Sequence, residues 1–224
     1  MIKKNKLFVF DIDDTLTKTA KLHQIAFIDS LQKMGVEEMD TNFGEYKHHT
    51  DSYIAKEIYE KDRGITFTAD KLKLVEKLLM DYLLKHPIEE IKGAKHIINQ
   101  IESDSSYGVC FATGSLLEPA KYKLDQISID NYDSRLVASN SLVKREQIVQ
   151  AAIDKAKVHY GVNHFEQIIS VGDGLWDLNT ANKLNIKFIG IGNKNYEVLR
   201  EKGAKLLWKD FSYFDFKEIE ANFH

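Results

Sequence analysis

Four short apolar runs lie far apart in the chain: Leu7-Phe8-Val9-Phe10, Val109-Cys110-Phe111-Ala112, Ile168-Ile169-Ser170-Val171 and Phe188-Ile189-Gly190-Ile191. Each is rich in β-branched or aromatic residues and lacks polar alternation, the pattern of a strand covered on both faces. Between the runs lie helical patterns. Val149, Ala152, Ile153, Ala156 and Tyr160 fall at i, i+3, i+4, i+7 and i+11 and draw one apolar stripe. Strands alternating with helices predict an α/β fold built on a doubly wound parallel sheet, because parallel strands need crossover connections.

The stretch from Lys18 to His86 breaks this alternation. It holds no convincing strand run and reads as helices, with Leu22, Ile25, Ile28 and Leu31 recurring every three residues. Leu72, Val75, Leu78, Leu79, Tyr82 and Leu83 fit a helical stripe more closely, and Gly35 and Gly64 are plausible stops. The organisation that follows is a core of residues 1–17 and 88–224, interrupted at 18–87 by an all-helical insert. The chain leaves the sheet through Thr17 and returns near Pro87 to Gly93, where Pro and Gly punctuate it.

Composition removes several classes of function. With 43% hydrophobic and 29% charged residues and only 2 prolines, the 224-residue chain is globular rather than disordered or fibrous. A net charge of -3 gives no basic field for nucleic acid or an acidic membrane, so neither is expected as a partner. Lys3, Lys4 and Lys6 precede an apolar run that stops at Phe10, short of the about 7 to 15 residues of a signal peptide. A cytoplasmic location is expected. The single Cys110 sits inside an apolar run and reads as a small core residue.

The candidate chemistry lies where the strands end. Phe8-Val9-Phe10 runs directly into Asp11-Ile12-Asp13-Asp14-Thr15. Carboxylates are costly to bury, so they belong at the carboxyl edge of the sheet, where open α/β sheets bind ligands. Two carboxylates two residues apart there suit a divalent cation, a nucleophile and a proton shuttle. Asp14 is left as a solvated turn residue. The second run ends in Thr113-Gly114-Ser115, a turn whose hydroxyls and backbone N–H groups suit an anionic oxygen. The third ends in Gly172-Asp173-Gly174, with Asp177 four residues beyond Asp173. Carboxylates converging on one edge need a cation to be tolerated. Lys144, 31 residues after Thr113 and 29 before Asp173, is singled out by its place in the order, with Arg145, Lys121 and Lys123 as competitors.

The set Asp11-x-Asp13-x-Thr15, Thr113, Lys144 and Gly172-Asp173-Gly174-x-x-Asp177, in that order, resembles the haloacid dehalogenase-like (HAD) superfamily across essentially the whole chain. The insert after the first motif is similar to the helical cap of the subgroup containing phosphoglycolate phosphatase and β-phosphoglucomutase. The third motif lacks the prolines many relatives carry around the Lys, which leaves both Lys144 and Arg145 as candidates.

The resemblance implies a Mg²⁺-dependent phosphatase acting on a small-molecule phosphate monoester. Asp11 would be the nucleophile that forms an aspartyl-phosphate. Asp13 would be the general acid and base, in an environment that holds a proton near neutral pH. Thr113, Gly114 and Lys144 would hold the phosphoryl oxygens. Mg²⁺ would sit on the Asp11 carboxylate, the Asp13 backbone carbonyl and Asp173, with Asp177 in support through water or by orienting Lys144. Asp13 decides against dehalogenases and phosphonatases, which lack a carboxylate there. Lys47, His48 and His49, the densest polar cluster of the insert, are candidates for contacting the leaving group.

Two rival readings stand beside this one. A phosphomutase of the β-phosphoglucomutase type would use the same Asp11 and Asp13 but return phosphate to a sugar. A receiver-like signalling domain also carries a phosphorylatable Asp, a Thr and a Lys at strand ends. Its acidic pair, however, precedes those residues, whereas Asp173 here follows Lys144.

Overall fold

The four apolar runs become the central strands of one six-stranded sheet in a computed structural model that describes residues 3–223. They are β1 (Lys6–Phe10), β2 (Tyr107–Ala112), β4 (Gln167–Gly172) and β5 (Lys187–Ile191). Two edge strands complete the sheet, β3 (Leu136–Val137) and β6 (Leu206–Trp208), each too short to stand out as an apolar run. All pairings are parallel, in the order β3-β2-β1-β4-β5-β6. Helices cover both faces: α4 (Ala94–Asp104), α5 (Leu117–Gln126), α6 (Arg145–Tyr160), α7 (Leu175–Lys183), α8 (Tyr196–Glu201) and α9 (Phe216–Phe223).

Alternation along β1 explains why it carries no polar face. Leu7 and Val9 pack with Ile148, Ala152 and Ile153 of α6 on one side. Phe8 and Phe10 pack on the other with Ile101 of α4, Leu124 of α5 and Ile219 of α9. Cys110 is a buried member of the α6-side core. The strand order places a switch point at β1, because the chain first builds outward through β2 and β3 and then restarts on the opposite side with β4. A crevice opens beyond the carboxyl ends of β1 and β4 at such a point. Phe10 pairs with Val171, so the residues that follow, Asp11 and Gly172, arrive at the same level.

Between β1 and α4 lie α1 (Ala20–Lys33), α2 (Asp51–Arg63) and α3 (Ala69–Leu83), which share a core of their own around Phe27, Leu31, Ile58, Val75, Leu79 and Leu83. One residue from the sheet side, Leu116, enters that core. The outgoing and returning chains run side by side: Lys18 N–H donates to the Glu89 carbonyl at 2.8 Å, and Ile91 N–H to the Leu16 carbonyl at 2.8 Å.

The stripe expected on α1 is corrected by the structure. Ile25 is exposed, and the buried face runs through His23, Ala26, Phe27, Ser30 and Leu31. Hydrophobicity alone misses it because two of its positions are polar: Ser30 bonds back to the Ala26 carbonyl, and His23 faces the crevice described below. Asp14 is likewise not merely a solvated turn. It adopts a left-handed φ of 52°, and its carboxylate accepts the Ala20 N–H at 3.0 Å, closing the free start of α1.

Leu79 is fully buried in the helical insert. Leu79→Ala should lower unfolding stability in urea by about 2–5 kcal/mol through lost burial and the cavity left behind.

Candidate active site

The site grows from the switch point. Asp11 is the first residue beyond β1, and its N–H donates to the Val171 carbonyl at 2.9 Å. Asp173 follows the last residue of β4. Asp177, in the first turn of α7, folds back so that its carboxylate accepts the Gly174 N–H at 3.2 Å. Only glycine permits this, since a Cβ on Gly172 would lie 2.3 Å from Asp177 Oδ2. Carboxylate oxygens of Asp11, Asp173 and Asp177 all come within 4.8 Å of one another.

The cation that answers them is Arg145. Its Nη2 lies 3.0 Å from Asp11 Oδ1 and also donates to Asp177 Oδ1, and the residue is only 6% exposed. Lys144, the residue favoured by motif order, is placed outside: it is exposed at the N-cap of α6. The reason is helical periodicity. Arg145 precedes Val149 by one turn and so continues the buried stripe, whereas Lys144 points off it. That register was available from sequence, because counting back four residues from Val149 selects Arg145.

One guanidinium does not neutralise three buried carboxylates. Burial, and then Asp177, push the Asp11 carboxyl up to about 7. Burial, with Asp177 and Asp11 beside it, pushes Asp173 up to about 9. Such a cluster, offering hard oxygen donors and excess negative charge at a strand edge, fits a divalent cation, which would restore the ionised forms. Asp11 and Asp173 are the side chains that would hold it. Asp177 is engaged by Arg145 and the Gly174 N–H, so its part is to orient the guanidinium.

Asp13 is in a different environment from the one expected. Lys123 Nζ, completely buried on α5, lies 2.7 and 2.8 Å from its two carboxylate oxygens, and the Thr19 hydroxyl donates to Oδ1 at 2.5 Å. Although burial opposes ionisation, Lys123 and His23 nearby hold the Asp13 carboxyl down to about 2. The expected proton-retaining pocket is therefore absent around Asp13, whose carboxylate is instead held by its lysine partner. Lys123 Nζ also lies 3.0 Å from His23 Nδ1, and His23 Nε2 lies 2.9 Å from Asp51 Oδ2. An ammonium only donates, so Nδ1 accepts and Nε2 carries the proton shared with Asp51. This chain joins the sheet domain to α1 and α2 of the insert.

The insert is seated directly on the site. Asp51 N–H donates to the Gly114 carbonyl at 2.8 Å, Asp51 Oδ2 accepts the Leu116 N–H at 3.1 Å, and the Thr50 hydroxyl donates to the Val143 carbonyl at 2.9 Å. Gly114 is part of the seat, since a Cβ there would fall 2.5 Å from the His49 carbonyl oxygen. Between the two parts lies a cavity of about 180 Å³, whose walls include Asp11, Asp13, Thr113, Gly114, Arg145 and Asp173.

Of the three candidates in the insert, His49 lines this cavity, with its ring 5.4 Å from that of Trp176. Lys47 is exposed and His48 packs on Tyr53, so neither belongs to the cavity wall. His23 and Trp176 were not singled out by sequence, and Lys123, named there only as a competitor for the cation beside the acidic cluster, is found on Asp13 instead. His23 is a lone polar residue on a helix, and Trp176 lies within the acidic motif itself.

A family model described as haloacid dehalogenase-like hydrolase matches residues 8–191, and the chain belongs to that family. Solved structures share its fold. β-Phosphoglucomutase from Clostridium difficile superposes with a TM-score of 0.69 at 20% identity, covering 99% of this chain and 97% of that one. A hydrolase from Pseudomonas syringae gives a TM-score of 0.68 at 19% identity, covering 91% and 93%. A family IA, variant 3 HAD hydrolase from Entamoeba histolytica gives 0.70 at 19%, covering 96% and 97%. No curated protein matches the chain. Among the described residues no helix is long and apolar enough to cross a membrane.

Two outcomes follow from this geometry. Arg145→Ala should lower phosphate-ester turnover by about 100-fold or more, while Lys144→Ala stays within about twofold, as steady-state kinetics would reveal. In EDTA the folded protein keeps protons on Asp11 and Asp173 that an unfolded chain, with carboxyls near 3.8, gives up. Thermal stability without metal should therefore fall as pH rises from 4 through 7 towards 9, and the slope should be shallower in Asp173→Asn.

Proposed function

We propose that this protein is a Mg²⁺-dependent phosphatase that hydrolyses a small-molecule phosphate monoester through a phosphorylated Asp11. The observation that carries the reading is Arg145 Nη2 held 3.0 Å from the Asp11 carboxylate in the wall of the cavity. A cation fixed beside a nucleophile is what an incoming dianionic phosphoryl group requires. Arg145 Nε, buried with no partner of its own, adds a free donor at the same place.

Asp11 attacks phosphorus, and the bond from phosphorus to the ester oxygen breaks. Thr113, Gly114 and Arg145 hold the phosphoryl oxygens in place. Mg²⁺ held by the Asp11 carboxylate, the Asp13 carbonyl and Asp173 would neutralise phosphoryl charge. The departing oxygen takes a proton that Lys123 passes through the Asp13 carboxylate, which leaves Asp13 ionised and Lys123 neutral. In the second half Asp13 removes a proton from the water that attacks the phosphorus of the aspartyl-phosphate, and the pair is restored. Asp13, held ionised, is suited to this base role.

The helical insert acts as a cap that excludes bulk water while the ester is bound, consistent with its seat on Gly114 and Leu116. The test is p-nitrophenol release from p-nitrophenyl phosphate. Wild type with Mg²⁺ should turn over, EDTA should stop it, and Asp11→Asn should lose on the order of 10⁴-fold or more. Metal-independent turnover, or turnover unchanged in Asp11→Asn, would contradict the reading.

A further inference from the structure

The walls of the cavity differ sharply in charge. The sheet side gathers the ionisable groups, with Arg145 already engaged by Asp11 and Asp177. The insert side presents Phe27, Phe43 and Ile54, and opposite them lies Trp176. Its only ionisable contributions are His23, whose two ring nitrogens are occupied by Lys123 and Asp51, His49 and the Asp51 carboxylate. Burial and the neighbouring Arg145 hold the His49 imidazole below its usual value. No Lys or Arg of the insert reaches the cavity wall among the described residues, and Lys194, the one lysine there, is an exposed residue of the loop after β5. Gln24 is the one neutral amide on the insert side, and it makes no hydrogen bond among the described residues.

A leaving group that carried a carboxylate or a second phosphate and lay against the insert would meet Asp51 and aromatic surface, with no Lys or Arg on that side to pair it. Desolvating an unpaired charge is costly, whereas a neutral alcohol has apolar walls and one amide to bond. The cavity of about 180 Å³ must hold the phosphoryl group as well, which favours a small ester.

We propose that the substrate is a small phosphate monoester of a neutral alcohol, whose hydroxylated or apolar body lies against Phe27, Phe43, Ile54 and Gln24. This rests on the phosphatase reading above. It separates the site from one that takes phosphoglycolate, whose leaving alcohol carries a carboxylate, and from a sugar mutase, which must seat a second phosphate.

The test uses a near-isosteric pair, 2-hydroxyethyl phosphate and phosphoglycolate, with wild-type protein and Mg²⁺, read as kcat/KM for phosphate release. The neutral ester should be preferred by about 100-fold or more. Equal rates, or preference for phosphoglycolate, would overturn the proposal. Calorimetric binding of both esters to Asp11→Asn with Mg²⁺ keeps the question independent of turnover. Tighter binding of the neutral ester supports the proposal even if neither is hydrolysed, which would count against the phosphatase reading alone. Equal binding, or binding of neither, overturns it. Gln24→Lys, at an exposed position, supplies the missing cation and should raise relative use or binding of phosphoglycolate by about tenfold. An unchanged ratio would mean that Gln24 does not face the leaving group, and would also overturn it.

Discussion

Two adjacent parallel strands deliver Asp11 and Asp173 to one edge, and Asp177 folds back against them. The mutual repulsion of these buried carboxylates is the constraint to which the surrounding structure answers. Arg145 is carried in on the first turn of α6 by the same helical stripe that packs that helix onto β1 and β2. Gly172 removes the side chain that would keep Asp177 away. The remaining excess of negative charge suits the cluster to a divalent cation beyond the ion pairs with Arg145.

Asp13, two residues from Asp11, has its charge answered separately by Lys123. The two carboxyls are consequently driven in opposite directions, Asp11 up to about 7 and Asp13 down to about 2. Neighbouring titratable groups pushed apart in this way divide the labour of acid–base chemistry. The Lys123 partner is itself tied through His23 to Asp51, whose backbone and carboxylate fasten the insert to the loop after β2. The polar links that hold Asp13 therefore also seat the insert.

Much of this was legible in the chain. Short, unalternated apolar runs identify the four strands covered on both faces, and the acidic residues that follow two of them place Asp11, Asp13 and Asp173 at the carboxyl edge of the sheet. What was not legible depends on register or on distance in sequence. The choice between Lys144 and Arg145 turned on which of two adjacent residues faces inward at the start of α6. Lys123 meets Asp13 across 110 positions, and no local pattern distinguishes it from the other basic residues of the chain. On α1 the buried face contains His23 and Ser30, so a hydrophobic count favoured Ile25, which is exposed. In each case the polar residue that broke the pattern belonged to a buried network rather than to the solvent.

The most direct measurement of the central claim is a crystal structure of the protein grown with Mg²⁺ and beryllofluoride, which mimics a phosphorylated carboxylate. The account predicts fluoride density continuous with Asp11, a cation touching Asp11 and Asp173, and Arg145 still bridging towards Asp177. Beryllofluoride on any other residue, or a cation seated away from Asp173, would contradict it.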